Sequence, residues 1–381
     1  MKYKELGKSS VKIPAIGQGC MGIGGYLSTD YHQDDNQVKA LRLGFELGMT
    51  FIDTAEVYGN GHSEELVGNA IEGIRDKVFI ASKVSPEHLF YNDLLLSAEK
   101  SLRKLKTDYI DLYQVHWPNP KVPIDETTQA MEQLIREGKI RYIGISNFSL
   151  RQLKAAQAVL SENEIVSVQV EYSLFERNIE NSILPYCESK GITTIAYSPL
   201  NQGQIIGNPK KTQALEMLAN RYNRTMAQIS LNWLISHPSV IAIPKATNPI
   251  HIRENASAAD FELSDEDFEE ISRVFTQECI YAPINRIRVI VGGRGNRQVY
   301  QTVDEALENK LGFVPSPLDL AQDIRKDEIL KPIRVTQSTD ESGKYDYDLI
   351  EGRIRYWAWV IAHKGKKTIP VYVCEGQKVN A

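Results

Sequence analysis

The chain reads as an α/β protein, a closed (β/α)8 barrel followed by a small α+β domain, on three observations. Eight short apolar runs of β type recur between Ile13 and Ile243, and segments of helical period lie between them. Three of the runs end in phase on a titratable side chain: Phe51-Ile52 on Asp53, Val78 to Ser82 on Lys83, and Tyr109 to Val115 on His116. The alternation stops near Phe275, and the chain continues to Ala381 in a different pattern. A barrel of about 250 residues counts as one domain, so 1–281 is expected to form the barrel and 282–381 the appended domain.

In chain order, Tyr3 to Leu6 and Val11 to Pro14 flank Gly7-Lys8-Ser9-Ser10 and read as a hairpin. The β-like runs are Ile13-Gly19, Thr50-Asp53, Val78-Ser82, Tyr109-Val115, Tyr142-Ile145, Ser167-Val170, Thr193-Tyr197 and Val240-Ile243. Among the helical segments, Ser149-x-x-Gln152 and Thr225-x-x-Gln228 have the form of a capping box, in which side chain and backbone at the helix start satisfy each other. Eight such alternations favour a closed parallel barrel over a doubly wound sheet, and the in-phase strand ends point the same way.

Gly17-Gln18-Gly19-Cys20-Met21-Gly22 fits the spacing of a dinucleotide-binding turn, but that turn must open a helix at once. Ile23-Gly24-Gly25-Tyr26-Leu27-Ser28 cannot be one, so the glycines are expected to let backbone approach ligands closely in a loop after the first strand.

If the three marked strands are parallel neighbours, Asp53, Lys83 and His116 share one edge of the barrel, with Tyr58 just above in a glycine-punctuated loop. Singly, such residues are usually caps, solvated charges or satisfied polar groups. Together they form a proton-donating set. A phenol titrates near ~10, and a close ammonium favours the phenolate; a lowering of about two units takes roughly 2.7 kcal/mol, within reach of one partly desolvated lysine. Asp53 would hold Lys83, and His116 would orient a carbonyl oxygen.

On these residues the chain resembles the aldo-keto reductases from about Lys2 to Phe275: the family's Asp, Tyr, Lys and His tetrad matches Asp53, Tyr58, Lys83 and His116. The resemblance implies reduction of an aldehyde or ketone by hydride from a nicotinamide cofactor, with Tyr58 as general acid. It further implies that Ser146, Asn147 and Gln169 hold the carboxamide, that Tyr197 stacks on the nicotinamide, and that Ser198, Pro199, Leu200, Asn201 and Gln204 cover the pyrophosphate. Lys245, Glu254 and Asn255 match the segment that holds the adenosine 2′-phosphate and adenine. His251 stands where the family carries an arginine, and Ala246 where it often has a serine. Losing a fixed bidentate donor weakens the case for NADP, which Arg253 or Asn248 would have to compensate; NADP is expected, with NAD the alternative. Trp117 is expected to line the substrate pocket.

Beyond the connector Thr276 to Pro283, a helix at Leu318-Ile324, strands near Ile329-Val335 and Tyr345-Ile350, a helix opening at Glu351-Gly352-Arg353, and a strand at Thr368-Val373 follow in turn. This order resembles the ParB-like/sulfiredoxin fold. Gly352 with Arg353 and Arg355 at a helix start is physically an anion site, so a nucleotide is a candidate ligand. Arg353 stands where sulfiredoxin has its cysteine, which argues against that chemistry, and no helix-turn-helix follows. Gly292-Gly293-Arg294-Gly295-Asn296-Arg297 lacks the Gly-Lys-Ser/Thr of a P-loop.

The formal net charge of -5 is uneven: 28 Lys+Arg stand against 36 Asp+Glu up to Pro283, and 16 against 13 after it. An acidic barrel argues against nucleic acid as its partner. Cys20, Cys187, Cys279 and Cys374 form no Cys-x-x-Cys pair, so neither a disulfide framework nor a metal site is expected. The N-terminus lacks a signal-peptide core and no run is long enough to span a membrane, which together with reduced cysteines reads as cytoplasmic. Two rival readings stand beside the reductase: a barrel that senses cofactor redox state with little turnover, and a bifunctional protein whose C-terminal domain uses a nucleotide, as a small-molecule kinase would.

Overall fold

The structure, a computed structural model, describes residues 1–26, 28–203, 209–276, 279–290, 299–327, 331–340 and 342–374. The described residues divide into two compact units, one of 1–203 with 213–275 and the other of 209–212 with the residues from Thr276 on.

In the first unit, β1 (Tyr3–Glu5) and β2 (Lys12–Pro14) form an antiparallel hairpin. Eight parallel strands follow in chain order: β3 (Gln18–Gly19), β4 (Phe51–Asp53), β5 (Phe79–Val84), β6 (Ile110–Val115), β7 (Ile140–Ser146), β8 (Ile165–Glu171), β9 (Thr193–Tyr197) and β10 (Val240–Ala242). The sheet closes on itself where Ile16 bridges Ala242, with Gly17 N donating to Ala242 O at 2.8 Å and Ala242 N to Ala15 O at 2.9 Å.

This closure explains the first two glycines differently from the sequence expectation. A Cβ on Gly17 would stand 2.8 Å from the Phe51 ring, and one on Gly19 2.7 Å from Ile243 O. They are glycines because β3 is squeezed between β4 and β10. The next helix begins only at Asp34, so no dinucleotide turn is present.

Successive strand residues face opposite sides. The inner set runs from an apolar layer of Phe51, Ala81, Leu112, Ile195 and Ile241, with Leu6 and Ile13 from the hairpin, to a second layer carrying Asp53, Lys83, Gln114, Gln169 and Tyr197. Lys83 and Gln114 are register partners, as are Ser146 and Gln169. Both capping boxes form, Ser149 with Gln152 and Thr225 with Gln228.

Helix His62–Ala70 is locked to the outside of the barrel by two buried polar bonds: Thr54 Oγ1 to Ser63 Oγ at 3.0 Å, and Ser82 Oγ to Glu64 Oε1 at 2.6 Å. The second oxygen of Glu64 has no partner among the described residues.

The second unit is a five-stranded sheet in the order β11-β15-β13-β14-β12, with β11 (Cys279–Ala282), β12 (Ile287–Val289), β13 (Ile333–Gln337), β14 (Tyr347–Glu351) and β15 (Ile369–Val373). Helices Pro317–Asp327 and Arg353–His363 pack with it around Ile333, Val335, Leu349, Val371 and Trp357. Part of the expected connector is therefore a strand, β11, antiparallel to β15. It is a short edge strand with Tyr281 exposed, so no inside-outside alternation marks it in the sequence. β12 is held by Arg288, whose guanidinium bonds both oxygens of buried Asp348 at 2.7 Å.

Burial pushes the Glu64 carboxyl up to about 7. The folded chain thus holds a proton that the unfolded chain releases near ~4.3, and stability falls as pH rises between those values, the deficit being complete above the folded pKa. Glu64→Gln is expected to flatten that dependence and to raise stability by up to about 3 kcal/mol at alkaline pH, with little change in acid. Urea unfolding of both proteins at about pH 5 and about pH 8 checks this; parallel pH dependences would contradict it.

Candidate active site

The end of β4 delivers Asp53 and the end of β5 delivers Lys83, both buried. Lys83 Nζ donates to Asp53 Oδ1 at 2.5 Å, to Thr54 O at 2.9 Å and to the Tyr58 hydroxyl at 3.4 Å. Three acceptors thus meet the three protons of an ammonium. Burial alone would lower the Lys83 pKa, but Asp53 and then Tyr58 outweigh it and hold it above its ordinary value. With one lone pair of the phenol oxygen taken by Lys83, the phenol's own proton is free to point elsewhere.

Tyr58 titrates above its ordinary value, not below it. Burial raises the phenol pKa more than the charge of Lys83 lowers it, and Asp53 adds to the rise. The expected lowering is corrected: Lys83 offsets part of a desolvation penalty, and the phenol stays protonated at neutral pH, as a proton donor requires.

His116 follows β6. Its ring meets that of Tyr58 edge-on at 5.6 Å and stacks on Trp117 at 3.8 Å. Burial, and secondarily Lys83, push its pKa well below the ordinary value, so the imidazole is neutral. Its Nδ1 is buried without a hydrogen-bond partner among the described residues. Trp117 is 38% exposed, a large apolar surface beside a polar cluster.

Asp53 has two further partners, Gln114, which the sequence reading did not mark, and Gln169, which it marked for another role. Its Oδ2 accepts from Gln114 Nε2 at 3.1 Å and from Gln169 Nε2 at 2.7 Å, and Gln169 also donates to Gln114 Oε1 at 3.3 Å. The signal for Gln114 was present: it lies between Leu112 and His116 on the alternating inner face of β6.

Asn147 takes a left-handed φ of 63° just after β7 and donates to His116 O at 3.0 Å and Ser146 Oγ at 3.1 Å. The Tyr197 hydroxyl donates to Asn147 Oδ1 at 2.9 Å, so Ser146, Asn147 and Tyr197 form one cluster with the backbone of His116. Ser198 and Asn201, at φ 48° each, frame the turn through Pro199 and Leu200 after β9; Gln204 lies outside the described residues. Lys245, Asn248, His251 and Arg253 are exposed around the start of helix Pro249–Ser257, while Glu254 is half-buried and Asn255 buried. Asn248 caps that helix through Ile250 N at 2.9 Å, and His251 Nδ1 lies 3.0 Å from Glu254 Oε2.

In the second unit, Gly352 adopts φ 94° immediately before helix Arg353–His363. Arg355 is an internal brace: its guanidinium donates to the carbonyls of Lys331 and Pro332 at 3.0 and 2.9 Å and lies 3.5 Å from Glu351. The glycine-rich stretch 292–297 lies outside the described residues. Among the described residues no group of acidic, histidine or cysteine side chains could hold a metal, and no helix is long and apolar enough to cross a membrane.

A closed parallel barrel with an ionised lysine-aspartate pair, a protonated phenol and a neutral imidazole at the C-terminal strand ends defines a barrel enzyme. Residues 15–275 match the aldo/keto reductase family, and the chain belongs to it. Methylglyoxal reductase YeaE of Escherichia coli is 40% identical over 266 residues, covering 70% of this chain and 92% of the relative. A glyoxal reductase of Bacillus subtilis is 37% identical, covering 71% and 92%. Among solved structures, a thermostable aldo-keto reductase in complex with the inhibitor epalrestat is similar at a TM-score of 0.70 and 45% identity, covering 72% of this chain and all of that one. An aldo/keto reductase from Klebsiella pneumoniae in complex with NADP and acetate is similar at 0.67 and 39%, covering 72% and 95%.

Removing the Asp53 charge leaves the Lys83 ammonium buried without its counter-ion. Asp53→Asn is expected to destabilise the barrel by about 3–5 kcal/mol, measured by urea unfolding at neutral pH. A loss below about 1 kcal/mol would show that Thr54 O and Tyr58 suffice to hold the charge.

Proposed function

We propose that the barrel reduces small reactive aldehydes, α-dicarbonyls among them, to alcohols with NADPH. The observation that carries the reading is the contact of Lys83 with both Asp53 and Tyr58 beside a neutral His116. The dicarbonyl class is supported by the names of two relatives, a methylglyoxal reductase and a glyoxal reductase.

The residues fit a nicotinamide cofactor by the chemistry of their donors. Gln169 keeps a carboxamide oxygen without a partner among the described residues, next to Ser146 and Asn147, which suits a nicotinamide carboxamide. Tyr197, its hydroxyl tethered to Asn147, offers a ring held in one orientation for stacking. Exposed Lys245, His251 and Arg253 about a helix start suit a ribose phosphate, and Glu254 with Asn255 suits adenine. When bound, the cofactor supplies hydride to the carbonyl carbon. His116 orients the carbonyl oxygen by a single neutral hydrogen bond. Tyr58 transfers its proton to that oxygen as negative charge develops, Lys83 stabilises the phenolate left behind, and solvent restores the proton. Trp117 bounds the substrate.

For the second unit we propose a ParB-like/sulfiredoxin-like fold, supported by its strand and helix order and by left-handed Gly352 before a helix start. A phosphate ligand there has support only from left-handed Gly352 before the helix start, since Arg355 is engaged internally. Four free cysteines, two of them buried, support a reducing, cytoplasmic setting.

Tyr58→Phe is expected to bind NADPH with unchanged affinity and to lose turnover of methylglyoxal by at least about a hundredfold, read as absorbance decay at ~340 nm. Turnover near that of the parent would remove Tyr58 as the acid. His251→Arg, which installs a fixed bidentate donor, is expected to raise the ratio of NADPH to NADH efficiency by roughly tenfold. An unchanged ratio would place the 2′-phosphate away from His251.

A further inference from the structure

Tyr58 stands on a turn that belongs to neither strand nor helix proper. Gly59, Asn60 and Gly61 all have positive φ, at 57°, 56° and 85°, so no regular ladder of backbone bonds holds the hydroxyl at its distance from Lys83. On the far side the turn is buttoned to the loop after β3: Gly59 N donates to Tyr26 O at 2.6 Å, and Thr29 Oγ1 to Gly59 O at 2.9 Å. On the near side Lys104 Nζ donates to Asn60 O at 2.9 Å, and the stretch leading into Tyr58 is tied by one side chain, that of Glu56.

Its Oε1 accepts from Ser85 N at 2.6 Å and from His88 Nδ1 at 3.0 Å, and its Oε2 accepts from Ser97 Oγ. Its own N–H donates to Lys83 O at 3.3 Å. Burial opposes ionisation, but the bonds from Ser97, Ser85 and His88 prevail and hold the carboxyl below its ordinary range. Ser85 is two residues beyond Lys83, and Tyr58 two residues beyond Glu56. A short ring results: Lys83, Val84, Ser85, the Glu56 carboxylate, Val57 and Tyr58, closed by the ammonium-phenol contact at 3.4 Å.

We propose that Glu56 is a positioning residue for Tyr58: its carboxylate ties the tyrosine turn to the chain segment that carries Lys83, and so sets the spacing between ammonium and phenol. The carboxylate bonds Ser85, His88 and Ser97 and acts through the phenol, and the proposal rests on the reading of Tyr58 as acid. A looser turn lets the phenol drift from Lys83, which weakens the charge that stabilises the phenolate and raises the pH at which the phenol ionises.

The test uses the full chain with methylglyoxal and NADPH, comparing parent, Glu56→Ala, Glu56→Gln and Tyr58→Phe in kcat, KM, NADPH Kd by fluorescence and the pH profile of kcat. Glu56→Ala is expected to lower kcat by about tenfold with KM and Kd within about twofold, and to move the alkaline limb of the profile upward. Glu56→Gln, which keeps the shape but loses an acceptor, is expected to move both in the same direction by less, and it decides the matter should Glu56→Ala fail to fold. A purely structural role would lower the fraction of active protein and leave the limb in place. An unmoved limb in a folded Glu56→Gln, with Tyr58→Phe inactive, overturns the positioning proposal alone. Undiminished turnover in Tyr58→Phe overturns the acid assignment on which it stands.

Discussion

A full ammonium charge buried inside a barrel is the constraint around which the first unit is arranged. Lys83 is fully buried, and its desolvation is offset only because Asp53 is ionised beside it and Thr54 and Tyr58 accept its remaining protons. Asp53 in turn would be an expensive buried anion without the two carboxamides, Gln114 and Gln169, that donate to its other oxygen. The charge therefore recruits residues from β4, β5, β6 and β8, and the strand register must bring all four to one level. Lys83 opposite Gln114 and Ser146 opposite Gln169 are the points where it does.

That arrangement couples groups usually described apart. Gln169, suited to a carboxamide on one side, holds Asp53 on the other, and Asp53 holds Lys83 against Tyr58. Asn147 links the backbone of His116 to the Tyr197 hydroxyl in the same way. A disturbance at the seat proposed for the nicotinamide thus has a hydrogen-bonded route to the phenol and to the backbone of His116.

The fold was largely legible because period-two alternation and strand-end chemistry are local properties. The eight barrel strands, both capping boxes and the convergence of Asp53, Lys83 and His116 follow from apolar runs and their last residues. What escaped depended on tertiary balance. The direction of the Tyr58 shift is a contest between burial, aided by Asp53, and the charge of Lys83, and sequence contains the charges but not the burial. Gly17 and Gly19 look like ligand-contacting glycines until β10 is known to lie against β3. Gln114 and Glu56 carry no motif, since an amide on a strand and a carboxylate in a loop are ordinary until their partners are seen. β11 and β12 were missed because each is an edge strand of a few residues, stabilised by what it pairs with.

The layering of the barrel interior gives the site two unlike ends. Phe51, Ala81, Leu112, Ile195 and Ile241 form an apolar floor beneath the polar layer, and Leu6 and Ile13 of the hairpin pack against it from below. Apolar side chains offer no hydrogen-bonded relay, so the floor favours proton exchange at the opposite, strand-end side of the polar layer. On the role proposed for Tyr58, departure of the alcohol and return of a proton to the phenol would then share the strand-end side of the barrel.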